Sequence, residues 1–264
     1  MLIFGTGLHA APSSTDLSVF DFWVLGLGAA AGSLVFGISG FAFGLTASVI
    51  WLQVLSPLQV VPLVVICPLV MNLVTLPRIR RDVNLTRLWP FALGSTLGVP
   101  LGVSLLGAID ANELRAAIGV MLVGYSGYAL MTPRLPLVLL PAGPGRAADT
   151  GVGLLGGLLG GVSGLSVILP SMWIAMRGGS KAEQRGLLQS FGLYCHLLTL
   201  GAFASLIGMR AETFKALALC VPISVTGSLV GMRIFARLSP EGFQRAIIWI
   251  IFAGGIGLLA RAAR

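Results

Sequence analysis

The chain has little charge, and acidic residues are especially scarce. Charged residues make up 10% of the 264 residues and hydrophobic residues 56%, and the mean hydropathy is +0.96. A soluble domain needs a larger polar surface than this composition supplies. No Asp or Glu lies deep in an apolar stretch, which disfavours a sodium site or a carboxylate proton relay within a membrane.

Cysteine and histidine are also rare, with three and two residues. Cys67, Cys195 and Cys220 all lie in apolar stretches, and their odd number favours packed, reduced thiols over disulfides. We therefore expect no disulfide framework, no bound metal and no cofactor.

Apolar stretches of membrane-spanning length, by contrast, recur from residue 18 to the end of the sequence. They predict one multi-pass membrane domain after an N-terminal tail at 1–17. Twelve of the 17 Lys and Arg residues fall into four short loops, so the net charge of +8 reflects membrane orientation rather than a nucleic-acid partner. If those loops are cytoplasmic, both termini lie on the outer side of the cytoplasmic (inner) membrane. The loops carry Arg78, Arg80, Arg81 and Arg87; Arg134 and Arg146; Arg177, Lys181 and Arg185; Arg233, Arg237 and Arg245.

The sequence contains an internal duplication. Gly-Ile-Ser-Gly at 37–40 returns as Gly-Val-Ser-Gly at 161–164, a shift of 124 residues. The same shift superposes Ser56 on Ser180 and Asn72 on His196. Each half is predicted to contain five apolar segments, which in the first half lie at roughly 20–37, 41–55, 58–77, 88–107 and 113–131.

The first two segments of each half are short. At 1.5 Å per residue, a helix of about fifteen residues covers roughly 22 Å, less than the roughly 30 Å hydrocarbon core. Whether this pair crosses twice or re-enters as a hairpin, it returns the chain to the side that it left, so each half makes an odd number of net crossings. We therefore predict an all-α integral membrane protein of two inverted-topology repeats, at 18–131 and 151–261, joined by a cytoplasmic linker at 132–150.

Inverted repeats with interrupted helices are typical of secondary transporters, which bind substrate near mid-membrane. A helix beginning at Ser39-Gly40 and another at Ser163-Gly164 would each present free N–H groups and a positive dipole end, which suits an anion. The alternative, that these glycines only allow helices to pack closely, is equally compatible with the pattern.

The third segment of each half carries polar groups at membrane depth. Asn72 in the first half corresponds to His196 in the second, and Gln189 lies on the same helical stripe as His196. We predict that these three side chains line a substrate path. A neutral histidine bonded to a neighbouring helix for stability is the other interpretation.

Several features together resemble the TauE/SafE family of membrane transporters, often called sulfite exporters. They are the Gly-rich openings at 37–44 and 160–170, the basic stretch at 78–84, and the row formed by Gly94, Gly98 and Gly102. The resemblance covers nearly the whole chain. It implies an integral transporter of small anions, often sulfite, sulfonates or other organosulfur compounds.

We therefore expect a secondary transporter of a small anion, embedded in the lipid bilayer and not an enzyme. A rhomboid-like intramembrane serine protease using Ser39 and His196 is the alternative, but a single-site protease does not need the motif twice. A subunit or scaffold without transport of its own is a third possibility. A homodimer is compatible with all of these interpretations.

Overall fold

The computed structural model describes residues 19–79, 83–106, 108–132, 137–209, 211–235 and 240–263. Within these ranges every regular element is an α-helix, and ten helices are present. The prediction of an all-α protein is confirmed. The predicted tail at 1–17 and the basic-loop residues Arg80, Arg81, Arg134 and Arg237 lie outside the described residues.

The first half contains five helices, close to the five predicted segments. They are α1 (Val19–Ser39), α2 (Phe43–Trp51), α3 (Pro57–Ile79), α4 (Leu85–Leu106) and α5 (Ala111–Met131). The expectation that both opening segments are short was wrong for α1, which has 21 residues. The helix continues to Ser39 because the glycine that ends it is Gly40, which lies three residues after the predicted end at residue 37.

The second half repeats this order of one long, one short and three long helices. Its helices are α6 (Ala142–Ser163), α7 (Ile168–Met176), α8 (Lys181–Leu206), α9 (Ala211–Phe235) and α10 (Pro240–Ala262). Because α6 begins at Ala142, it extends into the stretch predicted as a linker.

Two prolines of that stretch lie where a helix tolerates them. Pro141 occupies the position before the first helical residue, and Pro144 lies in the first turn, where a backbone N–H has no partner within the helix. They therefore begin α6 rather than interrupt it.

Many of the cations that the sequence assigned to loops belong to helix ends. Arg146 lies in the first turns of α6, Lys181 and Arg185 begin α8, and Arg233 lies in the last turn of α9. The capping box formed by Ser180 and Glu183 begins α8 at Lys181, within the stretch that the charge pattern assigned to a loop.

Six of the described helices are long and apolar enough to cross a membrane: α1, α3, α4, α5, α8 and α9. The helices α2 and α7 have nine residues each, or about 14 Å, which is roughly half of the hydrocarbon core. The chain is thus a multi-pass membrane protein with one half-length helix in each half.

The glycine row of α4 lets α6 pack against it at backbone distance. A Cβ added to Gly94 would lie 2.0 Å from the carbonyl oxygen of Thr150, and one on Gly98 would lie 2.2 Å from that of Leu154. Residue numbers rise together on the two helices, so α4 and α6 run parallel. Only glycine permits this approach.

The equivalent pair, α1 of the first half and α9 of the second half, packs in the same way. A Cβ on Gly37 would lie 2.4 Å from the carbonyl oxygen of Ser228, and one on Gly227 would lie 2.0 Å from the hydroxyl of Ser33. These helices are also parallel. The first helix of each half therefore packs against the fourth helix of the other half.

The third helices of the two halves begin with equivalent caps. Ahead of α3, the Gln59 side chain accepts hydrogen bonds from the backbone N–H and hydroxyl of Ser56, both at 3.0 Å. Ahead of α8, Glu183 accepts from the N–H of Ser180 at 2.9 Å. The shift of 124 residues found in the sequence superposes Ser56 on Ser180 and Gln59 on Glu183. The helices α3 and α8 therefore start at equivalent points.

Candidate functional site

The two Gly-x-Ser-Gly motifs end α1 and α6 in the same conformation. Gly40 has φ 86° and Gly164 has φ 76°, a left-handed backbone that favours glycine. The N–H of Gly40 donates to the carbonyl of Phe36 at 2.7 Å, and that of Gly164 donates to Gly160 at 2.8 Å. Each motif is therefore a helix C-cap, and a half-length helix follows it.

These two interruptions, which we call the first and second breaks, are residues 40–44 and 164–168. They lie against each other in space. A Cβ on Gly44 would lie 2.7 Å from the Leu165 side chain and 4.0 Å from the carbonyl oxygen of Gly164. The structure thus brings the two breaks into contact at Gly44 and at residues 164–165.

A small cavity lies between the two breaks. It is lined by Phe41, Gly44 and Leu45, by 164–168, by Val64 and Pro68 of α3, and by His196 of α8. No acidic residue is among them. The cavity is thus bounded by both halves of the protein.

The first turns of α2 and α7 open toward this cavity. Gly44 and Leu45 belong to the first turn of α2, and Ile168 is the first residue of α7. N–H groups in a first turn have no partner within their own helix and carry the positive end of the helix dipole. Pro170 removes one such N–H from α7, so α2 offers more donors.

The hydroxyl groups of the two motif serines donate their hydrogens to carbonyls of their own helices. The Ser39 hydroxyl donates to the carbonyl of Val35 at 2.9 Å and accepts from the N–H of Ala42 at 3.0 Å. The Ser163 hydroxyl donates to the carbonyl of Leu159 at 2.7 Å. Neither serine lines the cavity. In this conformation both hydroxyl hydrogens are committed to their own helices, as is common for serine in membrane helices.

The three predicted path residues are buried and keep polar atoms without a hydrogen-bond partner. Gln189 is 2% exposed and both atoms of its amide lack a partner; the same holds for Oδ1 of Asn72 and Nδ1 of His196. An unsatisfied buried polar atom costs about 1–3 kcal/mol, so each such atom needs a reason. A polar ligand or water in the path would supply one.

Gly192 allows two of these side chains to approach the same point. A Cβ on Gly192 would lie 3.9 Å from Cε1 of His196 and 4.0 Å from Nδ2 of Asn72. Asn72 of α3 and His196 of α8 therefore flank one position, and His196 also reaches the cavity wall beside Gly164. Gln189 lies instead near Gly40, at 3.3 Å from its added Cβ.

Two polar residues of the site were missed in the sequence. Ser166 lines the cavity, and its hydroxyl has no partner; it belongs to the second Gly-rich opening, which was the available signal. Arg185 was assigned to a cytoplasmic loop, whereas it lies in the second turn of α8 near Gly40. Its spacing of four from Gln189 places it on the predicted polar stripe.

A family model described as Sulfite exporter TauE/SafE matches residues 24–258. The chain belongs to the TauE/SafE family. The match runs from α1 to α10 and includes both breaks, so the resemblance stated from the sequence is confirmed. No curated protein and no solved structure shows a significant match.

The family assignment favours transport over the protease alternative. TauE/SafE proteins are transporters, and the Ser39 hydroxyl donates its hydrogen to the carbonyl of Val35 rather than to His196. A serine protease needs its base within hydrogen-bond reach of the nucleophile. Nothing in the fold or the comparisons supports a protease.

Proposed function

We propose that this TauE/SafE protein is a secondary transporter of a small anion, such as sulfite, a sulfonate or another organosulfur oxyanion, across the cytoplasmic membrane. The observation that carries the proposal is the meeting of two broken helices, with their first turns open to one cavity. Two helix N-termini that converge in a low-dielectric environment favour a negative charge. The absence of Asp and Glu from the cavity lining agrees with this charge preference.

We further propose that the two halves are inverted repeats. Equivalent helices lie five segments apart, so in a chain that reverses at every connection they run in opposite directions. In that arrangement α1 and α9 are parallel, α4 and α6 are parallel, and α5 and α10 are antiparallel. The first two relations follow from the glycine contacts above, and the third from Gly119, which faces Leu259, and Gly127, which faces Phe252.

In the proposed mechanism the anion lies between the starts of α2 and α7. The N–H groups of the first turn of α2 bind its oxygens, and Asn72, Gln189 and His196 line the path on either side. Ser39 and Ser163 take part only if their hydroxyls rotate away from Val35 and Leu159. The halves then rock about this point, which opens the site to each side of the membrane in turn.

Flux into proteoliposomes tests the proposal. The panel contains sulfite, sulfate, thiosulfate, a taurine-like sulfonate and a carboxylate, each measured with the wild type and with Gly44→Ala. The methyl group of Gly44→Ala would lie 2.7 Å from the Leu165 side chain and 2.8 Å from the Val64 side chain, so it would overpack the contact between the two breaks.

The wild type is expected to carry at least one of the sulfur oxyanions. Gly44→Ala is expected to carry it about tenfold more slowly, which corresponds to about 1.4 kcal/mol. Gly151→Ala is the control, since nothing lies within 4 Å of its added Cβ, and it should transport like the wild type. A folded wild type that moves no anion in the panel would refute the proposal.

A further inference from the structure

Arg185 is a partly buried cation at the first break. It lies in the second turn of α8, and its Nη2 donates a long hydrogen bond of 3.4 Å to the carbonyl of Gly37. Its Nε is buried and has no partner. A Cβ on Gly40 would lie 3.1 Å from that Nε, so the guanidinium borders the point where α1 ends.

No carboxylate neutralises this cation among the described residues. Arg177, for comparison, pairs with Asp149, whereas Arg185 makes no such contact with a described carboxylate. Charged side chains within membrane segments are costly, and they normally pair with an opposite charge or mark a substrate path. The missing counter-charge is what a bound anion would supply.

Gln189 presents a second donor to the same point. It lies one turn further along α8, and its Nε2 is 3.3 Å from the Cβ position of Gly40, beside Arg185. The side chain is 2% exposed, and neither of its amide atoms has a partner in the protein. A guanidinium and an unsatisfied amide therefore converge on one break.

The equivalent position in the other half is apolar. The shift of 124 residues places Val61 opposite Arg185 and Val65 opposite Gln189. A Cβ on Gly164 would accordingly meet Val64 at 2.9 Å and Val65 at 3.5 Å. Packing of the duplicated fold thus needs only apolar side chains here, and the polar pair is found in the second half alone.

We propose that Arg185 and Gln189 form an oxyanion subsite at the first break, on the side of the membrane where α8 begins. The fork of the guanidinium binds two oxygens of one anion, and the Gln189 amide N–H donates to a further oxygen. The ligand class is a small anion with two or three equivalent oxygens, such as sulfite or a sulfonate. This inference rests on the proposed function, since it adds a charged binding group to the same path.

Binding of sulfite to the detergent-solubilised full chain, measured by calorimetry, tests the subsite together with proteoliposome flux. Arg185→Gln should raise the Kd at least tenfold. Arg185→Lys keeps the charge but loses the fork, so its Kd should fall between those of the wild type and Arg185→Gln. Arg233→Gln removes an exposed arginine from the end of α9 and is the matched control, for which we expect an unchanged Kd.

Gln189→Glu separates binding from folding. This isosteric change places a carboxylate beside Arg185, so it should weaken sulfite binding at least tenfold while the melting temperature stays level or rises. Sulfite binding at wild-type affinity by folded Gln189→Glu or Arg185→Gln would overturn the subsite but leave the proposed function standing. An equal loss in Arg233→Gln would also overturn the subsite, because it would indicate a general charge effect. A wild type that neither binds nor moves any anion would overturn both.

Discussion

Buried polar residues in this protein fall into two groups according to where their hydrogen-bonding atoms point. Ser39, Ser163 and Thr75 bond to carbonyls of their own helices and so add no free polarity to the interior. Asn72 and His196, in contrast, each keep a buried polar atom that has no hydrogen-bond partner in the protein. In the proposed mechanism the second group lines the substrate path, because a buried polar atom without a partner costs stability unless a ligand or water meets it.

At the residue scale, a proton that is coupled to transport is expected to bind His196, the ionisable side chain in the cavity lining. The change His196→Asn keeps a polar side chain, and asparagine stands at the equivalent position 72. Because asparagine cannot bind a proton, flux should become independent of pH between about pH 5 and 8. Flux in proteoliposomes at matched internal and external pH measures this, with Asn72→Gln as a control that leaves the histidine in place. A pH profile identical to that of the wild type would remove His196 from proton coupling.

The sequence identified the buried, unpartnered polar residues of the proposed path better than it identified the proposed binding groups. Asn72, Gln189 and His196 were recognisable because polar residues are rare in apolar stretches and share a helical face. The serines were recognisable as part of a motif, but the direction of a hydroxyl depends on its rotamer, which a sequence does not specify. Arg185 was missed because a cation near a helix end resembles an orienting charge until the helix start is known.

At the element scale, contacts through glycine hold the two halves together. The helix pairs α4–α6 and α1–α9 each join one half to the other, and in both the backbones approach at positions where only a hydrogen atom fits. In a membrane, where the hydrophobic effect gives little drive for helix association, such close packing is a main source of stability. The glycines thus fix the relative position of the breaks.

Enlarging a glycine in the α4–α6 contact should destabilise the protein. In Gly157→Leu the new side chain would begin 2.7 Å from Cα of Ser95, and overpacking of this kind costs about 1–3 kcal/mol or more. Gly151→Leu is the control on the same helix, since its added Cβ meets nothing within 4 Å. Thermal unfolding in detergent should show a clear decrease in Tm for Gly157→Leu and little change for Gly151→Leu. Equal Tm values would mean that the contact contributes no stability.

The order and number of elements followed from hydropathy, but two boundaries did not. The length of α1 and the start of α6 were misjudged because both boundaries lie in Gly- and Pro-containing stretches, and these residues are in general poor helix formers. The structure shows that prolines at 141 and 144 initiate α6, and that α3 continues through Pro62 and Pro68. Neighbouring helices in a membrane protein can accommodate proline within a helix.

At the scale of the whole molecule, a duplicated framework carries an unequal distribution of polar groups. The two halves share the helix order, the caps before their third helices and the way their first helices pack. They differ where α8 carries Arg185 and Gln189 and α3 carries Val61 and Val65. The duplication accounts for the shared framework of the two halves. The difference between α8 and α3 accounts for the proposed oxyanion subsite, which lies on the side of the membrane where α8 begins.

The proposed membrane orientation can be measured by cysteine labelling in intact cells. The native cysteines are buried, so the wild type should remain unlabelled by a membrane-impermeant maleimide. Ala108→Cys, between α4 and α5, should be labelled from outside. Leu137→Cys, before α6, should be labelled only after the membrane is permeabilised. Labelling of both positions from the same side would refute an odd number of crossings between them.

The most direct measurement is the position of a bound anion. Selenite is a heavier analogue of sulfite, and its selenium can be located by anomalous scattering in crystals of the wild-type protein. We predict a selenium peak within the space bounded by the two breaks and by the stretch of α8 from Arg185 to His196. Ordered selenite only at other places, with that space free of anomalous density at saturating concentration, would contradict the proposal that the converging helix breaks form the anion site.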